Sequence, residues 1–326
     1  MSADGHIGKL PPEELESQIL RYRGASRPEV LVGPGIGEDA ALIRWPDERL
    51  LTVSSDPIVG AQEGAGRYLV HVNANDIACK GGDPAYLVVT LLVPVALGRP
   101  FAEMIMAEID EECRDLGVAV VGGHTEITDR HVNPVVMGTM IGTTEYRYCS
   151  DNMAPGDAIL ATKHIGLEGM AILAHDRPDL LGCLAPGEID EICLWLDRIS
   201  VIPEARAIRH LASFMHDPTE GGFMGGISEL SRLGRIAVDL DVSALPVDDL
   251  TRRVADKLGF DPLKLISSGV LLAVVPQKHE DEALSILSRQ GIPGTLVGRI
   301  TDGPGNLTVS TEEELWRILR METRGE

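Results

Sequence analysis

The 326-residue chain is poor in aromatic side chains, at 4%, and poor in positive charge, with 29 Lys and Arg against 50 Asp and Glu and a formal net charge of −21. Such a surface repels a phosphate backbone, and no basic stripe offsets it locally, which argues against nucleic acid and anionic membrane as partners. The acid excess reads as a well-solvated surface. No apolar run reaches the roughly 20 residues needed to cross a bilayer. The N-terminus, Met1 to Leu10, lacks a basic stretch with an apolar core behind it, so the expectation is a cytoplasmic protein. The cysteines, Cys79, Cys113, Cys149, Cys183 and Cys193, are odd in number, widely spaced and never Cys-x-x-Cys. That disfavours a disulfide framework or a zinc knuckle and reads as buried thiols in a reducing compartment. There is no Gly-x-x-x-x-Gly-Lys-Ser/Thr loop and no Gly-x-Ser-x-Gly elbow, so a nucleotide site here is of an unconventional kind.

What is present is glycine, 35 residues, and a hydrophobic fraction of 44%, which suits an α/β protein with many short turns. The length exceeds what one core usually supports and predicts two domains. Pro11 to Gly24 reads as a helix; 30–32, 40–43 and 50–53 as strands; 68–80 as a helix; 86–93 as a strand; 101–116 as a helix. The segments 118–121 and 134–141 read as strands bracketing a loop that carries Gly122-Gly123-His124-Thr125-Glu126. The chain turns polar and Pro/Gly-punctuated between Thr143 and Gly156, placing a boundary that divides it into domains 1–148 and 149–326. Beyond it, strands over 158–162, 237–240, 270–275 and 294–300 alternate with helices after Gly166, over 188–199, after Gly222, and over 249–258 and 280–290. Strand and helix alternate, yet some strands follow one another directly, so the expected class is α+β with mixed sheets.

His216-Asp217-Pro218-Thr219-Glu220-Gly221-Gly222 runs into an apolar-periodic stretch, Phe223 to Leu233. Pro218 reads as the first helical turn, Asp217 or Thr219 as its cap, and the glycines as places of close backbone approach. A helix start of this kind suits an anion, or simply a capped loop-to-helix junction. In the first half, acids stand beside flexible backbone. Gly35-Ile36-Gly37-Glu38-Asp39-Ala40-Ala41 enters a strand, Ser54-Ser55-Asp56-Pro57 ends one, and His71-Val72-Asn73-Ala74-Asn75-Asp76 crowds polar groups onto an apolar helix. Those polar groups bond between helices or serve a hard cation; Mg²⁺ favours a few carboxylates plus waters and phosphate, and Asp39, Asp56 and Asp76 offer them from three elements. His124, Glu126 and His131 also raise a transition-metal site, but no His-x-x-x-His or Glu-x-x-His helix supports it.

Taken in order, Gly37-Glu38-Asp39-Ala40-Ala41, Ser55-Asp56, Val72 to Asp76, Gly122 to Glu126, Pro155-Gly156-Asp157, Asp217 to Gly222, and Asp261-Pro262 with Ser267-Ser268-Gly269 resemble the signatures of the aminoimidazole ribonucleotide (AIR) synthetase superfamily. Within it the likeness is nearest to the hydrogenase-maturation factor HypE and its relatives. The resemblance implies a two-domain PurM-like fold: an N-terminal domain that binds ATP and pairs sheets into a dimeric β-barrel, and a C-terminal α+β domain. It implies an ATP- and Mg²⁺-dependent enzyme that activates or phosphorylates an oxygen, often of an amide or carbonyl, in a small molecule or a partner protein. Carried over, Asp39, Asp56, Asp76 and Glu126 hold Mg²⁺; Asn73, Asn75, Gly122, Gly123, Thr125, Thr219, Gly221, Gly222 and Ser268 face the nucleotide or its phosphates; and Asp76, Asp217 and His124 carry the chemistry. The sequence departs from the family in three places. His124 stands where HypE and the thiamine-monophosphate kinases have an acid, so Glu126 takes over as ligand or one metal is missing. The sequence ends Arg320-Met321-Glu322-Thr323-Arg324-Gly325-Glu326 with no cysteine after Cys193, which implies a separate substrate rather than self-modification. Its first cysteine is Cys79, in a predicted helix, unlike the reactive N-terminal residue of selenophosphate synthetase. A non-catalytic nucleotide-binding accessory factor and a small-molecule kinase are the alternatives.

Overall fold

Alternating and helical apolar periodicities build two compact units, one of residues through Ile77 with Gly82–Glu145, the other of Ala78–Gly81 with the chain from Tyr146 onward. The computed structural model describes residues 8–9, 15–32, 42–43, 49–59, 61, 63–148, 150–303 and 313–322. Asp39, the glycine-rich segment around it, and Cys149 lie outside the described residues.

The first unit contains β1 (Gly8–Lys9), β2 (Val30–Val32), β3 (Leu42–Ile43), β4 (Leu50–Ile58), α1 (Ala65–Cys79, whose last residues group with the second unit), β5 (Asp83–Pro94), α2 (Gly98–Leu116), β6 (Ala119–Thr128) and β7 (Val135–Thr144). Five strands form a sheet in the order β1-β6-β5-β7-β4, with β5 and β6 parallel and the other pairs antiparallel; β2 and β3 make a separate ribbon. The helix α2 buries Ala102, Ile105, Met106, Ile109 and Cys113, a spacing of three to four that makes one apolar stripe. It stops where Gly117 takes the left-handed conformation, φ 71°, and its N–H closes on the last turn. α1 is buried along most of its length, with Leu69, Val70, Ala74 and Ile77 at 1% exposure or less.

Three sequence expectations change here. The helix expected over 11–24 is, in its described part, a single π turn at Leu15–Ile19, and Gly24 instead bridges Ala119 at the start of β6. β4 continues through Ser54-Ser55-Asp56-Pro57 to Ile58, still paired with Val136. Pro57 does not end the ladder because β4 is the edge of the sheet, where a missing N–H can face away from the neighbour. The Gly122 to Glu126 segment is strand, not loop: it continues the parallel pairing of β6 with β5, from Val88 opposite Gly122 to Leu92 opposite Glu126.

The second unit contains β8 (Ala158–Thr162), α3 (Leu167–Asp176), α4 (Pro186–Cys193), α5 (Ile202–Ile208), β9 (Phe214–His216), α6 (Gly222–Gly234), β10 (Ala237–Leu240), α7 (Asp249–Leu258), β11 (Leu272–Val275), α8 (Glu280–Arg289), β12 (Gly294–Thr301) and α9 (Glu314–Leu319). Its sheet has the order β10-β12-β8-β11-β9 and every described pairing in it is antiparallel. Phe223, Ile227 and Leu230 of α6 pack against Ile159, Ala161, Phe214, Leu272 and Val274 from that sheet. A mixed sheet in one unit and an antiparallel one in the other give the mixed α+β class expected from the sequence.

Candidate functional site

In the first unit the alternation of β4 decides what meets what. Successive strand residues point to opposite faces, so Ser54 and Asp56 share the face that α1 covers. Across the sheet from Asp56 stand Gly138, then Val89, then Gly123, in one row. A Cβ on Gly138 would come 3.1 Å from Nδ2 of Asn73, so the bare backbone there seats the Asn73 side chain. Asn73 is fully buried, accepts from the Asp56 N–H at 3.0 Å and donates to the Leu69 carbonyl at 2.9 Å. It therefore fixes β4 to α1. One turn further along α1, Asp76 meets Ser54: the Ser54 hydroxyl hydrogen-bonds to Oδ2 of Asp76 and lies 3.2 Å from Oδ2 of Asp56.

A hydroxyl carries one proton and can donate it to one acceptor at a time. Two carboxylates converging on Ser54 Oγ set hard oxygen donors side by side. Clustered carboxylate oxygens are what Mg²⁺ takes, so the chemistry of the donor set fits that ion. Asp56 and Asp76 are thus brought together. Ser54 was missed as a site residue because its segment was read as the end of a strand; the i, i+2 spacing to Asp56 was the available signal. Asn75 is also fully buried in α1. His71, on the same helix, places Nε2 2.8 Å from Oε2 of Glu112 on α2, whose other oxygen accepts from Arg67 at 2.6 Å. Half-buried Glu112 loses solvation, yet His71 and Arg67 more than offset that and hold its pKa down at about 2.

The residues of β6 divide between faces. Thr125 is buried opposite Leu91, on the helix-covered side, whereas His124 and Glu126 project to the other face. Their Nε2 and Oε2 atoms are 3.3 Å apart and both side chains are exposed. The structure does not bring Glu126 to Asp56 and Asp76. Three strand spacings, roughly 14 Å, separate β6 from β4, and the side chains point to opposite sides of the sheet. Among the described residues no group of three or more His, Cys, Asp or Glu is arranged to hold a metal, and His131 stands in the exposed turn after β6. Gly122 has open space where a Cβ would go. Gly123, at φ 152°, has the carbonyl of Val89 1.9 Å from that position, so it is strand β5 that approaches closely.

In the second unit Asp217, Pro218 and Thr219 precede α6 instead of starting it. The helix begins at Gly222, its N-cap is Gly221 at φ 81°, and no side chain within the motif caps it. Thr219 contributes its carbonyl, which accepts from Gly222 N–H at 3.0 Å. The reason is close packing. Gly222, at φ 63°, runs so near the Leu263–Leu265 turn that a Cβ would lie 2.6 Å from the Leu265 carbonyl oxygen. Asp217 is 2% exposed. The capping carboxylate comes from far along the chain: Glu313 Oε2 accepts from Gly221 N–H at 2.7 Å, and its Oε1 accepts from Ile266 N–H at 3.0 Å and Leu315 N–H at 2.9 Å.

Beside it lies a second carboxylate that the sequence reading passed over. Glu168, in the first turn of α3, is 4% exposed and accepts from Ser268 N–H at 3.2 Å. Burial, abetted by Glu313 and Asp217 and opposed by Ser268, pushes its pKa up to about 7. A carboxyl of that kind holds or releases a proton near neutrality. Ser267 and Ser268 are fully buried, and Ser267 Oγ accepts from Gly166 N–H at 2.9 Å, tying the serine turn to the start of α3. The signal for Glu168 was an acid in a glycine-flanked helix start, Gly166-Leu167-Glu168-Gly169.

Comparison with known proteins matches residues 37–144 to the N-terminal domain of AIR synthase related proteins and residues 154–310 to their C-terminal domain. A hydrogenase expression/formation protein, HupE, of Azotobacter chroococcum is 28% identical over 88% of this chain and 83% of its own length. Carbamoyl dehydratase HypE of Azotobacter vinelandii is 29% identical over 79% of this chain and 72% of its own. A crystal structure of hydrogenase maturation protein HypE in complex with ATP superposes with a TM-score of 0.74 at 22% identity, covering 89% of this chain and 86% of that one.

Proposed function

This chain belongs to the AIR synthase related protein family, and from that premise we propose that it is an ATP- and Mg²⁺-dependent enzyme acting on an oxygen of a small molecule or of a partner protein's amide or carbonyl group. The observation that carries the proposal is the convergence of Asp56 and Asp76 on the Ser54 hydroxyl, beside the buried Asn73 that locks β4 to α1. Relatives described as carbamoyl dehydratases and a similar fold solved with ATP support the class of reaction.

Asp56 and Asp76 would hold Mg²⁺, which when bound draws charge off a transferring phosphoryl group. Phosphoryl transfer asks for positioned charge and dipoles more than for covalent chemistry. Asn73 keeps the two acids in register through the Asp56 backbone, and the Ser54 hydroxyl lies between the two carboxylates. Thr125 and Asn75, both buried in the same unit, and Asp217, Thr219, Gly221, Gly222 and Ser268 in the other are the further residues we assign to nucleotide or substrate. Glu168, near neutrality in its protonation, is suited to moving a proton at its carboxyl oxygen. His124 and Glu126 belong to the exposed face of the sheet and are assigned no role in this metal site. We further propose the homodimer that the family likeness implies, formed through the sheet of the first unit: β4 is its edge strand and leaves Leu51 54% and Val53 58% exposed.

The test is turnover. ATP cleavage that requires Mg²⁺ and disappears in Asp76→Asn supports the enzyme. Nucleotide binding with no cleavage under any substrate tried contradicts it and favours the accessory-factor reading. The product then sorts the chemistry. A phosphorylated small molecule means a kinase; ADP and phosphate with a substrate short of one water mean a dehydration.

A further inference from the structure

The connection from β8 to α3 pairs one fully matched polar residue with one that is not matched at all. Lys163 stands in the left-handed region at φ 55°, and its nearly buried ammonium reaches three oxygens: Glu204 Oε1 at 2.6 Å, the Ser200 carbonyl at 2.6 Å and the Arg198 carbonyl at 2.8 Å. Three N–H donors meet three acceptors, and that offsets the backbone strain. His164 comes next. Its ring lies edge-on against the ring of Trp195, with centroids 4.2 Å apart and planes at 61°. Both of its ring nitrogens are buried, and neither has a hydrogen-bond partner among the described residues.

Trp195 belongs to the 3₁₀ turn Leu194–Arg198 that follows α4. The stretch is held at each end by other means: His175 of α3 places Nε2 3.2 Å from the Cys193 carbonyl, and Lys163 takes the carbonyls of Arg198 and Ser200. Ile199 passes so close to the serine turn that a Cβ on Gly269 would lie 3.0 Å from its Cα. The stretch thus covers the turn leading into α3 and flanks the serine turn whose Ser268 N–H bonds Glu168.

A neutral imidazole already leaves one buried N–H unmatched here, and a protonated one would leave two and add a charge. The charged groups that act on the ring are Arg198 from the 3₁₀ turn, Lys163 beside it in the chain and Asp248 ahead of α7. Lys163 is committed to its three oxygens, and Asp248 accepts from Leu250 N–H at 2.8 Å as the cap of α7. Burial is the main reason that the His164 pKa falls to about 4; Arg198 and Lys163 act the same way and Asp248 opposes them. The packed arrangement therefore binds fewer protons than one in which the ring meets water, where the ordinary value is about 6.5. Its advantage is complete above that value and is lost as pH falls toward 4. The bond from His175 to the Cys193 carbonyl behaves differently, because an N–H donated to a carbonyl survives protonation of its ring.

We propose that the contact between His164 and Trp195 is an acid-released latch: the neutral imidazole holds the Leu194–Arg198 turn over the entry to α3, and a proton taken up on a ring nitrogen drives the two rings apart. Lys163 keeps its grip on Arg198 and Ser200, so the Trp195 end of the stretch moves and the Ser200 end stays. Release admits water beside the first turn of α3, which carries Glu168. The latch does not depend on the nucleotide; only its consequence for Glu168 rests on the function proposed above.

The experiment is hydrogen exchange read by mass spectrometry at pH 7.5 and 5.5, corrected for the intrinsic pH dependence of amide exchange, on wild type, His164→Phe and His175→Gln. His164→Phe keeps a ring against Trp195 and cannot take a proton; His175→Gln keeps a donor for the Cys193 carbonyl. Peptides over 194–200 report the latch, and peptides over β11 report the core of the second unit. The proposal expects wild type and His175→Gln to lose protection over 194–200 by about tenfold at the lower pH, with β11 unchanged and His164→Phe protected at both. Equal protection of wild type at the two pH values overturns it, as does the same loss in His164→Phe or its disappearance in His175→Gln. Should His164→Phe fail to fold, imidazole ¹⁵N spectra of wild type decide: a His164 midpoint below pH 5.5 supports the latch, and one at or above it overturns the latch. No arm uses ATP, so a chain that binds no nucleotide leaves this result standing, and loss of the latch leaves the proposed function standing.

Discussion

Glu168 is held in a place where its proton binds more firmly than in the unfolded chain, and this gives a residue-scale prediction with a definite sign. Its native pKa is about 7 against an ordinary 4.5, so between those values the folded protein carries a proton that the unfolded one has lost. Stability from this group is complete below pH 4.5 and is lost as pH rises through about 7. A shift of that size corresponds to roughly 3 kcal/mol. Urea unfolding of wild type and Glu168→Gln from pH 4.5 to 8 should show the wild type losing stability relative to the variant by that order; parallel curves would contradict the assignment. Glu112 has the opposite sign, since His71 and Arg67 depress it to about 2, and its contribution is lost only as pH falls below 4.5. Neither shift was legible in the sequence. The acids were visible, but their burial and neighbours come from α3 meeting the serine turn and α1 meeting α2.

At the scale of elements the sequence was most readable where one periodicity ran unopposed. β8, β10 and α7 lie where the pattern put them, and α2 and α8 differ by a few residues at an end. It was least readable where chemistry-bearing residues sat in a strand. Gly122 to Glu126 looked like a loop because glycines and polar groups interrupt the apolar run, but β5 supplies the hydrogen bonds and β6 continues through them. α6 was expected to be capped by Asp217 or Thr219, and the cap came from Glu313, which no local pattern can reveal. The two glycines of β6 give a paired test. Gly123→Ala puts a methyl 1.9 Å from the Val89 carbonyl oxygen at a φ that disfavours any side chain, whereas Gly122→Ala meets open space. Thermal unfolding should find Gly123→Ala destabilised by about 3 kcal/mol or more, in the range of strained backbone with overpacking, and Gly122→Ala within about 0.5 kcal/mol of wild type. Similar losses at both positions would refute the close approach of β5.

At the scale of the whole molecule, the two-unit organisation and the mixed α+β class followed from length, patterning and the ordered motifs. The carboxylate site was half legible: Asp56 and Asp76 meet, Ser54 joins them unannounced, Glu126 lies on the far face, and Asp39 is outside the described residues. If the first unit's sheet makes the dimer, charge placed on the open face of β4 should break it. Leu51→Asp/Val53→Asp is expected to sediment as a monomer where wild type sediments as a dimer, and a wild-type monomer, or a variant that stays dimeric, would contradict the proposal. The central claim is that Asp56 and Asp76 form a Mg²⁺-nucleotide site. Calorimetry of ATP binding with and without Mg²⁺, on wild type and Asp56→Asn/Asp76→Asn, tests it most directly. The account predicts Mg²⁺-dependent binding to wild type that weakens at least about tenfold, about 1.4 kcal/mol, in the double variant; binding that ignores both the metal and the two carboxylates would contradict it.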